Sequence, residues 1–553
     1  MSLPTFDPQG TLFGSLTSLA PNLFTETDRY KLFAQKIWPV LAGKRPQLET
    51  CYVTTNGRAA IEPVVLLGAL LLQFMERAPD RQAADLVRYH LGWKLALNLD
   101  LGEGGFHATT LVKFRNRLEK NGQAKIAFNA VLEALQEEGL VPKRGRQRLD
   151  STHVLGLVAR MSRLECVRET LRLALEELAP ALAELQRPDF WALLWERYVE
   201  SKLDYKNPEA VLKQKQTQVG EDSLRLLRWL EPLPVSLRSG RQVELLRRVF
   251  EEHYTILENQ EVTPVKEHAA GVVQNPHDPE AQWSAKGQGK ARKDWVGYKV
   301  QVAESIGAEP TRKNEPERHF LTSLVTQSAI ESDDAGLPAT LEAQSQSDLG
   351  APSELYVDGA YVSAANLVQA QKEGRDLVGP AQPSPSRKDG GYRTEDFDVN
   401  VETRRAICPA GKENTQCSRL EEKESGKASY RFEWSTHCHG CPLRAQCVGA
   451  GQKHRTLVVG EHHTALQNRR REQTTEAFRE RMHVRNGIEG AQSELVRGHG
   501  LRRARYRGKA KLNLQMQFIG AACNVKRWLR VLAWEAKMAF EAAAAGLGEV
   551  GIA

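Results

Sequence analysis

The sequence predicts a mixed α/β protein: a sheet core interrupted by a helical insertion and a cysteine-rich insertion, preceded by an all-α unit. Three observations lead there. Helical periodicity dominates residues 61–139. Short apolar, strand-like runs then appear around 149–158, 296–305, 319–327 and 354–357, with helical stretches between them. At 553 residues the chain exceeds what one core organises, so it needs two to four domains or one domain with large insertions.

Residues 1–48 carry mixed polar and apolar signals and receive no assignment. "PVVLLGALLLQFMER" opens with Pro63 at a first helical position, where its missing N–H costs nothing. "DRQAADLVRYHLG" follows with Asp80 as an N-cap. "HATTLVKFRNRLEKNG" places Leu111, Phe114 and Leu118 on one face and Lys113, Arg115 and Arg117 on others. Such a helix fits a helix-turn-helix-like DNA reader, and equally a plain solvated face. Residues 49–140 are thus read as a helical DNA-binding domain.

The basic link "VPKRGRQR" (141–148) marks a boundary, and one domain is expected over 141–535. It opens with the strand "LDSTHVLGLV", in which Asp150 and Thr152 share a face. Residues 161–262 read as a helical insertion. Strands return in "VGYKVQVAES" and "HFLTSLVTQ", and the helix "SDDAGLPATLEAQ" leads to "ELYVDGAY". There Leu355, Tyr356 and Val357 form a buried strand that ends at Asp358. A helix, a short strand "DLVGP" and the insertion 381–460 follow, then a last helical region and an alanine-rich tail, 536–553.

The net charge of +7 says little until it is located. The start "MSLPTFDPQG" has no basic region leading into an apolar one, so no signal peptide is expected. The most apolar run, "VVLLGALLLQFM", is too short to span a bilayer. No membrane association is expected, and a cytoplasmic, nucleoid-associated protein is.

A buried, unpaired carboxylate is costly, so Asp358 needs a partner, a metal or an exposed rim. A turn aspartate before glycine is the plain alternative. Further on, "RMHVRNGIEGAQSELVRGHGLRRARYRGKAK" carries Glu489 and Glu494, then Arg502, Arg503, Arg505, Arg507, Lys509 and Lys511 with Tyr506 among them. That density suits a phosphate backbone, and the aromatic could stack on a base. Carboxylates beside a polyanion need cations between, and magnesium or manganese takes carboxylate oxygens while leaving room for phosphate.

Five cysteines crowd into 408–447, which in a reducing compartment suggests metal before disulfides. Cys438 and Cys441 have zinc-knuckle spacing, and Cys408 and Cys447 complete four thiolates, with Cys417 spare. His437 and His439 are substitutes, and the alternative is packing or loose thiols.

In order along the chain, "RLDSTHVLGLVARMSRLECVRETLR", "NPHDPEAQW", "WVGYKVQV", "LYVDGAYVS", "CPAGK", "CHGCPLRAQC" and "RNGIEGAQSELVRGHGLRRARYRGK" resemble bacterial insertion-sequence transposases of the DDE class, in the IS-eleven-eighty-two group. The N-terminal "GRAAIEPVVLLGALLLQFMERAPDRQAADLVRYHLGW" is similar to the helical domain that precedes their catalytic core. The resemblance covers about residues 50–530. It implies a ribonuclease H-like core in which Asp150, Asp358 and Glu489 are the catalytic carboxylates and hold two magnesium or manganese ions, with Glu494 the fallback for the third. It implies a DNA-contacting role for Arg485, which lies four residues before Glu489. The family's tyrosine and lysine positions hold Met482 and Val496 here, with Arg497 next to the latter. The implied function is cleavage of the ends of an insertion sequence and joining of the 3′-hydroxyl ends to target DNA. Its partners are the terminal inverted repeats, the target and at least a second copy of the chain. The rivals are a transposase-derived DNA-binding protein without catalysis, and a recombination or repair nuclease with the same core.

Overall fold

The computed structural model describes residues 22–549, except 54–59, 183–186, 203–206, 268, 288, 348, 385–389 and 422–427. Residues 1–21 of the unassigned N-terminal segment and 550–553 of the tail therefore lie outside the description. The chain folds as a mixed α/β protein around one mixed sheet.

The N-terminal helices include α1 (Pro63–Glu76), α2 (Asp80–Tyr89), α3 (Thr109–Lys120) and α4 (Ile126–Glu137). Short helices between Arg29 and Glu49 pack into the same core, so that much of the unassigned segment belongs to this helical unit. Pro63 does open α1, after Glu62 caps Val64 N–H. Asp80 is not an N-cap: Pro79 holds that place, and the Asp80 side chain is drawn instead to Arg115.

The sheet begins with β1 (Gln147–Leu155). After it comes the helical insertion, with α5 (Arg163–Ala181), α6 (Glu209–Leu230) and α7 (Arg241–His253) closing a hydrophobic core of their own around Leu171, Leu175, Leu226 and Leu246. Next come β2 (Gln282–Lys286), β3 (Lys293–Ser305), β4 (Leu321–Ser328), α8 (Asp333–Ser345), β5 (Glu354–Tyr356), α9 (Ala364–Lys372) and β6 (Asp376–Val378). β3 runs antiparallel to β1, with Asp150 opposite Val302. β2 and β4 pair with successive halves of β3, while β5 and β6 continue the sheet on the other side of β1 in parallel.

The second insertion contains a three-stranded antiparallel sheet of β7 (Gln416–Glu421), β8 (Ala428–Glu433) and β9 (Thr456–Gly460). Its small core is built on Phe397, Phe432 and Trp434. The chain then returns to the main sheet as α10 (Gly487–His499) and α11 (Lys509–Glu549). Helix α11 takes in much of the alanine-rich stretch read as a tail.

One apolar core joins the N-terminal helices, β3, β4 and α11, and Phe74 of α1 stacks on Phe518 of α11 at 5.5 Å. This core crosses the basic link at 141–148. A polar network ties α11 to the sheet. The Arg148 guanidinium donates to Glu304 Oε2 at 2.6 Å, and Arg527 donates to Glu304 Oε1 at 2.5 Å. Glu304 is almost fully buried, so both cations are needed to hold its charge.

Candidate active site

Strand register brings the two aspartates together. In the parallel pairing of β1 with β5, Arg148 lies beside Tyr356. Asp150 and Asp358 each stand two residues further on, Asp150 within β1 and Asp358 just past the end of β5, so continuing the register brings the carboxylates level. Each commits one oxygen to its own backbone. Asp150 Oδ1 accepts the Ser151 N–H at 2.8 Å, and Asp358 Oδ1 accepts the Ala360 N–H at 2.8 Å, an Asx turn. The second oxygens share a cation: Arg485 Nη2 lies 3.0 Å from Asp150 Oδ2 and 4.0 Å from Asp358 Oδ2.

Glu489, which the resemblance implies as the third carboxylate, sits on α10. Alternation along β1 puts Arg148 and Asp150 on one face, and α10 crosses β1, Gln492 Nε2 donating to the Ser151 carbonyl at 3.3 Å. Glu489 lies one turn from both Arg485 and Gln492. It is exposed, with no hydrogen bond or ion pair among the described residues. Glu494 is about 140° away around the helix. It is held by Arg527 at 2.8 Å and Arg530 at 3.0 Å. Arg148 Nη1 also donates to the Val484 carbonyl at 3.3 Å. Gly487 leaves room for the Arg148 guanidinium, which a Cβ there would displace.

Burial pushes the Asp150 carboxyl up to about 6, against the pull of Arg485 and the Ser151 N–H. A largely buried carboxyl beside a half-exposed one, with one guanidinium between two acids, is an oxygen donor set that fits a hard divalent cation. The three carboxylates are not drawn to chelating distance. Among the described residues, only Glu494, His499 and Cys523 have ligand atoms all within 4.8 Å of one another. That trio is an unattractive cation site, because Arg527 and Arg530 already neutralise Glu494 and Lys526 adds further positive charge beside His499.

Residues 407–529 match the family model of the transposase DDE domain, and residues 22–117 match that of a transposase domain (DUF772). Both matches support a DDE-type transposase. The first spans Arg485 and Glu489; the second spans Lys113, Arg115 and Arg117. No curated protein matches the chain. Transposases of this class act on DNA and generally use divalent metals. No helix among the described residues is long and apolar enough to cross a membrane.

The basic residues divide into two groups when a DNA path is sought. Arg502 and Arg503 are exposed and pinned to the end of β1, where the Leu155 N–H donates to the Arg502 carbonyl at 2.8 Å. Arg497, Arg507, Lys509, Lys511 and Lys113 are also exposed. Arg115 is not: it is buried and fully engaged with Asp80. Tyr506 lies half-buried beneath Arg115, at 5.3 Å from its guanidinium, so it is not presented for stacking on a base. Arg505 lies over Phe74 at 5.1 Å and Arg117 over Tyr52 at 4.0 Å. The N-terminal unit thus uses these arginines to bind itself to the C-terminal segment and to its own loops.

Other residues near the site went unread in the sequence. Lys286, Lys290, Arg292 and Lys293 form the tip of the β2–β3 hairpin. Together with burial, Arg502, Lys286 and Lys293 hold the His153 imidazole below its usual range, which places these cations around the outer half of β1. The run "SAKGQGKARK" between two strand-like stretches was a usable signal. Tyr361 is fully buried and donates to Gln301, whose amide bonds Gln327 at 3.1 Å, anchoring the turn that carries Asp358. Cys408, Cys438, Cys441 and Cys447 line one pocket of the second insertion, without Cys417.

Proposed function

We infer that this chain is a metal-dependent DNA transposase with a ribonuclease H-like core, of the IS-eleven-eighty-two group, in which Asp150, Asp358 and Glu489 are the catalytic carboxylates. The meeting of Asp150, on β1, and Asp358, just past the end of the adjacent parallel β5, at Arg485, which precedes the helix that carries Glu489, is the observation that carries this reading. The strand arrangement supports it too: β4, β3 and β1 run antiparallel in series, and β5 and β6 extend the sheet parallel to β1.

Asp150 Oδ2, Asp358 Oδ2 and Glu489 would hold magnesium or manganese. When bound, such ions supply Lewis-acid stabilisation and lower the pKa of an attacking water or hydroxyl. The carboxylates act as ligands and do not shuttle protons. Arg485 reaches both aspartates from the rim and is placed to meet a phosphate beside them. Arg502, Arg503 and the β2–β3 hairpin steer the DNA backbone past the end of β1. The reaction is hydrolysis at the element ends, followed by attack of the freed 3′-hydroxyl on a target phosphodiester. Two ends must be handled together, so the working complex holds at least two copies of the chain in the cytoplasmic nucleoid.

The test is incubation of purified protein with DNA spanning its own gene and flanks, with magnesium or manganese. Discrete flank cuts are expected, abolished by Asp150→Asn, Asp358→Asn or Glu489→Gln with DNA binding retained. Glu494→Gln should still cut. Full cleavage by any of the first three variants removes that residue from the site, and flank binding without cuts by the unaltered protein favours a binding-only descendant.

A further inference from the structure

Five cysteines lie close in sequence, yet the fold separates them. Cys408, Cys438, Cys441 and Cys447 all line one enclosed pocket, walled also by Trp434, Lys412, His437, Arg444 and Arg455. Cys417 sits on β7 outside it. The free space is about 20 Å³, enough for a single water-sized guest. The four thiols come from two separate stretches of chain, Cys408 from one and the other three from 438–447.

The backbone around them is built for ligation. Cys408 opens a tight turn in which the Cys408 N–H donates to the Lys412 carbonyl at 2.9 Å and the Gly411 N–H donates to the Cys408 carbonyl at 2.8 Å. The second turn, Cys438-His439-Gly440-Cys441, needs its glycine, which has φ +81°. The Arg455 N–H donates to Cys438 Sγ at 3.3 Å, an interaction that favours a sulfur carrying negative charge.

Two guanidiniums are fixed against the same turns. Arg444 donates to the Cys438 carbonyl at 3.0 Å and Arg455 to the Cys447 carbonyl at 3.1 Å. They offset the charge that four thiolates around one dication would carry. The surrounding core is small, and the strands that frame it are short, the situation in which a metal contributes folding energy outright.

We propose that Cys408, Cys438, Cys441 and Cys447 form a structural zinc site that holds the second insertion together. No three of these sulfurs lie within 4.8 Å of one another in the structure. An ion at about 2.3 Å from each would draw them to roughly 3.8 Å apart, with loss of the thiol protons. Four thiolates leave no open position, so the site does no chemistry, and it stands whether or not the chain is a transposase.

The experiment is zinc analysis of the full chain, produced with zinc in the medium and purified under reducing conditions. One zinc per chain is expected, released by a mercurial reagent. Cys417→Ser should keep it and Cys441→Ala should lose it. Because a cavity alone could unfold the insertion, Cys441→His is the second variant: histidine can replace a thiolate at zinc, so metal should return. Cobalt substituted for zinc should give the absorption of a tetrahedral thiolate site in the unaltered protein. Folded protein without zinc, equal zinc loss in Cys417→Ser and Cys441→Ala, or disulfides joining these cysteines in place of metal would each overturn the proposal.

Discussion

Asp150 shows how one residue can be costly to the fold and useful to the site. Burial and Arg485 pull its carboxyl in opposite directions, and burial wins, leaving it titrating at about 6. Its folded pKa lies above its unfolded one. Its contribution to stability is therefore fully present below about pH 4 and is lost as pH rises through about 6. The span is roughly two pK units, or at most about 3 kcal/mol. Asp150→Asn should abolish this loss, flattening the metal-free protein's stability between pH 4 and 7 relative to the unaltered chain, as read from denaturant midpoints. The same carboxyl must be ionised to hold a cation. Manganese affinity, followed by calorimetry, should accordingly fall below about pH 6. Identical pH profiles for Asp150→Asn and the unaltered chain would remove Asp150 as the titrating group.

At the scale of elements, the placement of α10 decides whether three acids can act together. Arg148 holds both Glu304 on β3 and the Val484 carbonyl just before α10, while Arg527 of α11 holds Glu304 and Glu494. A single buried carboxylate thus links β1, β3, α10 and α11. Removing its charge leaves the buried Arg148 guanidinium without a carboxylate and Arg527 with Glu494 alone. Glu304→Gln should cost roughly 3–5 kcal/mol, seen as a lowered urea midpoint. Replacing Arg148, Glu304 and Arg527 together by apolar residues of similar volume should recover much of that stability, because no unpaired charge then remains. A Glu304→Gln protein as stable as the unaltered one would mean that the network carries no such strain. The network was invisible in the sequence, where Arg148 belonged to a basic link and Glu304 to the end of a strand.

Across the whole molecule, the exposed cations converge from distant parts of the chain. The β2–β3 hairpin and the segment after α10 meet around the outer half of β1, five residues or fewer from Asp150. DNA affinity should therefore depend on the hairpin as well as on the C-terminal arginines. Replacing Lys286, Lys290 and Lys293 by Gln should weaken binding to any DNA sequence. It should also lower the slope of log affinity against log salt by about 0.9 for each phosphate no longer neutralised, measured by fluorescence anisotropy. Replacing Arg115 should leave that slope unchanged and lower stability instead, because Arg115 serves Asp80. An unchanged slope in the lysine variant would move the DNA path elsewhere.

The sequence by itself determined the alternation of helical unit, strands and insertions. Periodicity and strand-forming runs are local properties, and each element has enough residues to declare its type. It also showed Asp150 in a strand-like run, Asp358 at a strand end and Glu489 and Glu494 beside a basic run, while the choice of three among them came from the resemblance. What it could not decide was partnership. Whether Arg115 faces outward or meets Asp80, whether Glu494 is free or paired with Arg527, and which four cysteines share a pocket depend on contacts between residues far apart in the chain. The same holds around the basic link at 141–148, where an apolar helix from the other end of the chain shares a core with the N-terminal helices. Strand register and helix rotation settle such questions, and both are fixed by burying the combined apolar surface, which no single segment contains.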